Sequence, residues 1–474
     1  MSDLALALLV AGFLAFSISL ANWRVVFLGV ILVGFAQDPL RKLIPGEPVF
    51  FVVLCTAAMT LALLGAMMKH GVVSIEPIAS GDRATRTALW LVIAVVAVQT
   101  VLSWIRYGSP IIAAIGLLSY LSPIPAIWLA YNYTRGVFDI RRFLFVYVVA
   151  VAIVTLGIYV SKAGVQSPLF RQVGEGMVVY DPTVGLVETH PGLMRSAEVG
   201  AWHVGAGACI LIVLAVSFRS KVLRLVTPPA VILFLAAGVL TGRRKMLVIV
   251  ATFMALYFVL LYYYRHRSGR RALLIVCVVS AAFIATALSM TPAGSSFSPY
   301  LARGQSVFGS AAGDRLVDLG LASVGWAIAA GGFFGLGAGA GSQGTQHFFS
   351  GGEVIAGGAA EGGLGKVAVE LGVPGLVLVM LSMALVARNV GRILNVIAVR
   401  DVRLLALCLG LVAFCFANVP VFMGASQIYG DPFVLMLLGS FLGFVLAAPR
   451  LGGWEGGGGR AAADGNAIRG FRRS

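Results

Sequence analysis

The sequence predicts an all-α polytopic membrane protein that crosses a bilayer about twelve or thirteen times. Of the 474 residues, 59% are hydrophobic and only 11% are charged, and the mean hydropathy is +0.96. Globular domains carry about 25% charged residues, so a soluble fold of this composition is excluded. Apolar windows of about 20 residues, the length that a membrane-spanning helix needs, recur along most of the chain.

Thirteen such windows can be placed, and two of them are interrupted. Asp38 lies in the second window, and Pro123 and Pro125 lie in the fifth. The windows are 4–22, 25–40, 48–68, 87–106, 109–131, 142–161, 200–218, 222–241, 245–264, 272–291, 367–388, 402–424 and 431–448.

The windows and the loops between them divide the sequence into five parts. Transmembrane helices occupy residues 1–161, and a first external loop followed by central helices occupies residues 162–292. A large external loop, rich in Gly, Ser and Ala, covers residues 293–366, and transmembrane helices return over residues 367–448. Residues 449–474 are a basic, Gly-rich tail that we expect to be disordered on the cytoplasmic side.

The net charge of +16 follows the predicted topology and does not indicate a nucleic-acid partner. With the N-terminus outside, the cytoplasmic loops and the tail carry 23 of the 35 Lys and Arg residues, and the external side carries 12. The cytoplasmic cations form short clusters beside the spans, as the positive-inside tendency requires. The cysteines lie in spans and no histidines show metal-ligand spacing, so we predict no metal site and no cofactor.

The large external loop contains a glycine-dense apolar stretch, Leu319–Ala340. We expect this stretch to be helix lying at the membrane surface or dipping into it. The run Gly335–Gly341 resembles a dinucleotide fingerprint only superficially, because no βαβ context surrounds it. Its glycines allow either a tight turn or a close approach of the backbone to a ligand.

Three consecutive cations, Arg243, Arg244 and Lys245, stand at the external start of a span, where topology disfavours positive charge. One interpretation is that they snorkel into lipid headgroups. The other is an anion site, because the planar fork of arginine binds phosphate bidentately and keeps its proton.

Two further external arginines are candidates for the same site. Arg195 precedes the seventh span, and Arg315 lies in the large loop before the surface stretch. Each can instead pair with a nearby acid, Glu198 for Arg195, and Asp314 or Asp318 for Arg315. Taken with the three consecutive cations, they predict a cationic pocket for a polyanion.

Two acids flank the start of the eleventh predicted span, where an ionisable residue is a functional hypothesis by default. Glu361 lies among glycines, with no local cation before Lys366. Glu370 has an alternative role in compensating the positive end of the helix dipole. His190 and His347 lie in the external loops and are further candidates for the site.

The order of these features resembles the bacterial O-antigen ligase and O-antigen polymerase superfamily. The shared features are a loop with Arg195, the Gly242–Arg244 triplet at a span start, Arg315 before a helix, the glycine turn, and the sequence Glu370–Gly375 leading into a span. The resemblance covers roughly residues 195–381. It implies a fold similar to that of the C-type, lipid-linked-sugar glycosyltransferases of cell-wall elongation.

The resemblance also implies a site, placed on the periplasmic face of the bacterial cell inner membrane. In the family, external arginines hold the diphosphate of an undecaprenyl-diphosphate-linked glycan donor. Carried over, that role falls to Arg195, Arg243, Arg244 and Arg315, with Lys245 as a further candidate. Arg244 and Arg315 are then also catalytic, because they stabilise the leaving diphosphate.

This sequence departs from the family at one position. Relatives carry His-Asn about nine residues before the Glu of the Glu-Leu-Gly motif, and here Glu361 and Gly362 occupy that place. Glu361 is therefore the candidate general base, as in the cell-wall elongation enzymes, which use an external carboxylate. A carboxylate in a low-water cleft can take the proton of an attacking sugar hydroxyl.

These arguments predict an inverting, metal-independent glycosyltransferase that polymerises exopolysaccharide or O-antigen repeat units. Its partners would be the donor glycan, a glycan acceptor, the bilayer, and an associated flippase and chain-length regulator. One alternative is the ligase that transfers O-antigen to lipid A-core. An alternative of another class is a transporter or flippase for lipid-linked sugars, and a third is a structural membrane scaffold.

Overall fold

A computed structural model describes residues 3–173, 178–181, 185–218, 220–289, 298–305, 317–342 and 361–451. Over residues 3–16, 178–181, 280, 282–289, 301 and 304–305 the description covers the backbone alone. Arg315, His347 and the tail from residue 452 lie outside the described residues, so the predictions made for them stay predictions.

The chain is almost entirely helical, as the sequence predicts. The helices are α1 (Asp3–Leu43), α2 (Leu54–His70), α3 (Glu76–Ala79), α4 (Arg83–Tyr107), α5 (Pro110–Leu121), α6 (Pro123–Tyr133), α7 (Val137–Lys162), α8 (Ala197–Ser217), α9 (Lys221–Leu240), α10 (Lys245–Tyr263), α11 (Arg267–Ser289), α12 (Ser298–Gln305), α13 (Ser323–Gly331), α14 (Gly363–Arg400), α15 (Val402–Ala417), α16 (Val419–Gly424) and α17 (Pro432–Ala447). Strands β1 (Val178–Asp181) and β2 (Gly185–Glu188) form an antiparallel hairpin.

Ten helices among the described residues are long and apolar enough to cross a bilayer, or up to eleven with one bent pair. The chain is therefore a multi-pass membrane protein. The prediction of twelve or thirteen spans includes the first window and the tenth. These windows fall on α1 and α11, helices whose side chains are described only in part.

Helix α1 is two helical limbs that meet at Asn22, where the backbone leaves the helical region (φ −150°, ψ 78°). The Ser19 hydroxyl donates to the carbonyl of Leu61 at 2.6 Å, and the Cys55 amide donates to Gln37 at 3.4 Å. Eighteen residues of straight helix cover about 27 Å, whereas the two contacts on α2 are only six residues apart, about 9 Å. The chain therefore reverses at Asn22, and the first two predicted windows fall on its two limbs.

The fifth predicted window is the bent pair α5 and α6, whose axes differ by 43°. Pro123 opens α6, where its missing N–H removes no helical hydrogen bond. The interruption that the prolines mark in this window is therefore a bend between two helices. Helix α17 packs closely on α6 because Gly439 and Gly443 bring their backbones against it. A Cβ at Gly443 would lie 2.5 Å from the carbonyl oxygen of Ile127.

Helix α8 stands at the centre of the bundle, and every residue of its apolar window is buried. It packs against α7, α9, α10 and α15. A helix that is apolar on all sides fits this position, because other helices surround it. The peripheral helices expose large apolar side chains, which suits contact with lipid chains. Examples are Trp90, Ile105, Leu225, Val259, Tyr263, Ile275 and Val377.

The helix ends near Asp82, Arg388 and Arg400 lie at one face of the bundle, named here the basic face. An ion pair of 2.7 Å between Arg388 and Asp82 joins α14 to the start of α4, and Arg400 donates to the carbonyl of Pro449 at 3.3 Å. The opposite ends of the helices form a second face, named here the cavity face. That the basic face is cytoplasmic follows from the positive-inside tendency and stays a prediction.

The glycine-dense stretch on the cavity face is only partly helical. Helix α13 ends at Gly331, and a series of turns then runs back along α14 as far as Ser342. The amide of Val373 donates to the carbonyl of Phe333 at 2.9 Å, because α14 is broken at Gly372 (φ +73°) and frees its backbone there. The prediction of helix through residue 340 is therefore wrong beyond Gly331, where the glycines favour turns.

Candidate functional site

A cavity of about 680 Å³ opens at the cavity face, between helix ends that lie far apart in the sequence. The end of α1, the turn Val49–Val53, helix α5 and the starts of α14 and α17 supply its walls. Four charged residues belong to its lining, Arg41, Arg195, Lys366 and Asp431, and they are named here the charged end. The lining side chains from Val49–Val53 and from α5 are mostly apolar and are named here the apolar wall.

Arg195 lies in the charged end and is held by two buried carboxylates. Its guanidinium contacts Asp38 at 3.3 Å and Asp431 at 2.6 Å, and its backbone amide donates to Asp38 at 3.0 Å. Burial opposes the charge of Arg195, but Asp431 and Asp38 outweigh it and raise the pKa of the guanidinium above its ordinary value. The alternative partner expected from the sequence, Glu198, is wrong, because the fold brings more distant acids to Arg195.

The two carboxylates of this network have different sources. Asp38 interrupts an apolar span and is fully buried, so its charge is compensated inside the bundle by Arg195. Asp431 is the N-cap of α17 and accepts a hydrogen bond of 2.8 Å from the amide of Phe433. Its second oxygen is left for Arg195. The network therefore joins α1, the segment before α8, and α17.

Lys245 is also tied to the cavity. Its ammonium lies 2.6 Å from Glu198 and donates at 2.7 Å to the side-chain oxygen of Gln427, which lines the cavity. Arg243 and Arg244, the other members of the predicted cluster, turn the chain into α10 and are half-buried. Neither of these two arginines lines the described cavity.

Glu361 is attached to the cavity wall through its backbone. Its carbonyl oxygen accepts a hydrogen bond of 2.7 Å from the amide of Ser426, which lines the cavity. The carboxylate itself is not part of the described lining. Gly362 follows in very close contact with the carbonyl of Leu319, so the chain at Glu361 is fixed between two neighbouring segments.

Glu370 is fully buried behind the cavity wall. One of its carboxylate oxygens accepts hydrogen bonds from the amide of Gly341 at 2.9 Å and from the hydroxyl of Ser342 at 3.1 Å. Both donors line the cavity. The carboxylate therefore holds the end of the glycine turn, a different role from the expected compensation of the helix dipole.

The glycine turn owes its composition mainly to packing. Gly337 and Gly339 have φ of +109° and +93°. A Cβ at Gly339 would lie 2.2 Å from the carbonyl of Ile112 on α5. Of the two uses expected for these glycines, the tight turn with close helix contact is therefore the one seen along most of the segment.

His190 lies in a separate cluster on the same face. Its ring hydrogen-bonds the hydroxyl of Tyr300 at 3.0 Å, and the ammonium of Lys162 lies 4.9 Å from the centre of the Tyr300 ring. Burial lowers the pKa of His190 below its ordinary value; nearby Glu188 opposes this shift and Lys162 adds to it. Arg303 donates to the carbonyl of Gly242 at 2.8 Å, which places this cluster beside the Arg243–Arg244 corner.

The fold thus brings together only part of the predicted site. Arg195 lines the cavity, and Lys245, Glu361 and Glu370 contact residues that line it. The sequence analysis missed four charged residues of the site. They are Asp38, Arg41, Lys366 and Asp431. One of them, Asp38, could have been predicted from the sequence, because a charged residue inside an apolar window indicates a functional or structural role.

Comparisons of the sequence with family models and with curated proteins find no match. The family resemblance therefore rests on the quoted motifs alone, and the function is argued from the cavity.

Proposed function

We propose that the protein is an inverting, metal-independent glycosyltransferase of the bacterial inner membrane. It polymerises undecaprenyl-diphosphate-linked repeat units at the periplasmic face, yielding exopolysaccharide or O-antigen. The observation that carries the proposal is the cavity, which combines a charged end with an apolar wall. A lipid-linked sugar has the same two-part character, an anionic diphosphate joined to a long hydrocarbon chain.

The apolar wall is itself exposed. Val49, Phe50, Val53 and Ile111 line the cavity and are also between 37% and 53% exposed. In a membrane these side chains meet lipid. These side chains can therefore contact the hydrocarbon chain of a lipid-linked sugar, while its headgroup stays among the charges.

The proposed reaction needs a base and a stabilised leaving group. A hydroxyl of the acceptor sugar attacks the anomeric carbon of the donor, and Glu361 takes the hydroxyl proton. The bond from the anomeric carbon to the diphosphate oxygen breaks, and the lipid diphosphate leaves with the electron pair. Fixed cations stabilise that anion. The family resemblance gives this role to Arg244, which lies outside the described cavity lining, and to Arg315, which lies outside the described residues. Attack from the opposite side inverts the anomeric centre.

Two other functions compete with this one. A ligase that transfers the glycan to lipid A-core would use the same donor and the same cavity. A transporter for lipid-linked sugars expects charges along a central path through the spans. Against the transporter, the charges of the cavity belong to helix ends on one face, and the central helix α8 is apolar.

A reconstitution experiment separates the three. Purified protein in vesicles receives lipid-linked repeat units, with and without lipid A-core, and the products are resolved on a gel. We expect a ladder of glycan lengths from the wild type and none from Arg244→Ala at equal protein level, since loss of one such contact costs roughly 10²–10³ in rate. A single addition to lipid A-core would identify a ligase. Absence of any new glycosidic bond would refute the proposal.

A further inference from the structure

We propose that Lys366, together with Arg41, forms the phosphate-binding group of the cavity. Lys366 lines the cavity and is only 7% exposed. Its ammonium has no hydrogen-bond or ion-pair partner among the residues that the structure describes. The ammonium therefore belongs to a buried side chain of the cavity lining.

The other cations near the charged end already have partners. Arg195 is shared by Asp38 and Asp431, and the ammonium of Lys42 donates to two backbone carbonyls at 2.8 and 3.0 Å. Arg41 has only a backbone partner, because its Nε donates to the carbonyl of Glu47 at 2.9 Å. Within the described chain, Lys366 and Arg41 are therefore the cavity cations that form no ion pair.

The position of Lys366 is unfavourable without an anion. A buried ammonium is costly unless it is paired. Lys366 also stands in the first turn of α14, where the positive end of the helix dipole disfavours a cation. When a phosphate enters the cavity, the ammonium of Lys366 and the positive end of the helix dipole both attract it. The same two features that destabilise the empty site therefore favour the bound anion.

The surroundings define the ligand further. Ser119 and Ser342 also line the cavity, but their hydroxyl groups donate to the carbonyl of Ile115 at 2.8 Å and to Glu370 at 3.1 Å, so binding of an anion depends on the cations. The apolar wall favours a phosphate or diphosphate that carries a single hydrocarbon chain over a free phosphate. That this chain is a polyprenyl chain rests on the proposed function. The assignment of Lys366 and Arg41 rests on the geometry, and it differs from the arginines that the sequence motifs indicate.

A binding experiment with three probes tests the assignment. Full-length protein in nanodiscs is titrated with undecaprenyl diphosphate, with undecaprenol, which has the same chain but no charge, and with inorganic diphosphate, which has no chain. We expect Lys366→Met to weaken binding of undecaprenyl diphosphate by about 10- to 100-fold, the worth of a charge-assisted contact. Undecaprenol binding should stay unchanged, and Lys366→Arg should bind within about threefold of wild type because it keeps the charge.

Lys162→Met is the matched control, because Lys162 lies on the same face and outside the cavity lining. It should leave all three affinities unchanged. A second readout is the unfolding temperature without ligand, which should be equal or higher in Lys366→Met, since the variant removes an unpaired buried charge. Wild-type affinity for undecaprenyl diphosphate in Lys366→Met would overturn the assignment. So would a lowered unfolding temperature, which would mean that the ammonium is paired within the fold.

The outcome is separable from that of the proposed function. Charge-dependent binding through Lys366, with no ladder in the reconstitution, would support the phosphate site and refute the glycosyltransferase. A ladder that Lys366→Met leaves intact, with unchanged donor affinity, would support the glycosyltransferase and refute the phosphate site.

Discussion

Replacement of Arg195 by methionine should destabilise the fold strongly, because among the described residues Arg195 is the cation that forms ion pairs with both Asp38 and Asp431. The side chains of these acids are 0% and 2% exposed, so solvent cannot replace the guanidinium. Removing one partner of a buried ion pair costs about 3–5 kcal/mol. Here two carboxylates lose their partner, so we expect the upper part of that range.

Asp38→Asn is a milder change to the same ion-pair network and serves as the comparison for Arg195→Met. It keeps the shape and leaves Arg195 paired with Asp431, so the net charge of the three-residue network goes from −1 to zero. The expected cost is about 1–2 kcal/mol, that of one hydrogen-bonded charge contact. The double variant Arg195→Met with Asp38→Asn should be less destabilised than the sum of the two single changes, because one of the orphaned carboxylates is already neutral.

The free energy of unfolding can be measured by SDS titration in mixed micelles, followed by tryptophan fluorescence and by trypsin resistance. Trp202 is a suitable reporter, since its indole donates to Asn418 at 2.8 Å within the core. The reasoning fails if Arg195→Met unfolds within about 0.5 kcal/mol of wild type. Weakened binding of undecaprenyl diphosphate at unchanged stability would instead make Arg195 a ligand contact, the role that the family resemblance implies.

Three further predictions concern topology, the base and the helix break. In a cysteine-free background, Gln166→Cys should react with an impermeant maleimide in intact spheroplasts and Ser268→Cys should not; the reverse pattern would invert the topology. Glu361→Gln should lower turnover at saturating donor by roughly 10²–10⁴ while donor binding survives, and turnover within about threefold of wild type would exclude the base role. Gly372→Ala should cost about 1–3 kcal/mol of stability. The alanine would have to adopt φ of +73°, and its Cβ would lie 2.6 Å from a neighbouring carbonyl oxygen. Gly391→Ala, on the same helix with open space around its Cβ, is the control and should not destabilise.

The sequence by itself determined the class of protein and the course of most helices. A span must satisfy its own backbone and meet lipid or other helices along its length, so its signal is local and survives without knowledge of the fold. The same is true of the bend at Pro123, which follows from the missing N–H of one residue. The chain reversal at Asn22 could also be predicted from the sequence, because a short polar segment separates the first two apolar windows.

The partners of the charged residues were decided by the tertiary structure alone. Arg195 meets Asp38 across 157 positions of sequence and Asp431 across 236, so the nearest acid in the chain was a poor guide to its partner. Lys366 lies only five positions from Glu361, yet within the described residues the two do not pair. Which charged side chains form ion pairs and which remain for a ligand depends on which helix ends meet at the cavity face. That meeting is set by the packing of apolar helix surfaces, which carry no signal about the polar groups at their ends.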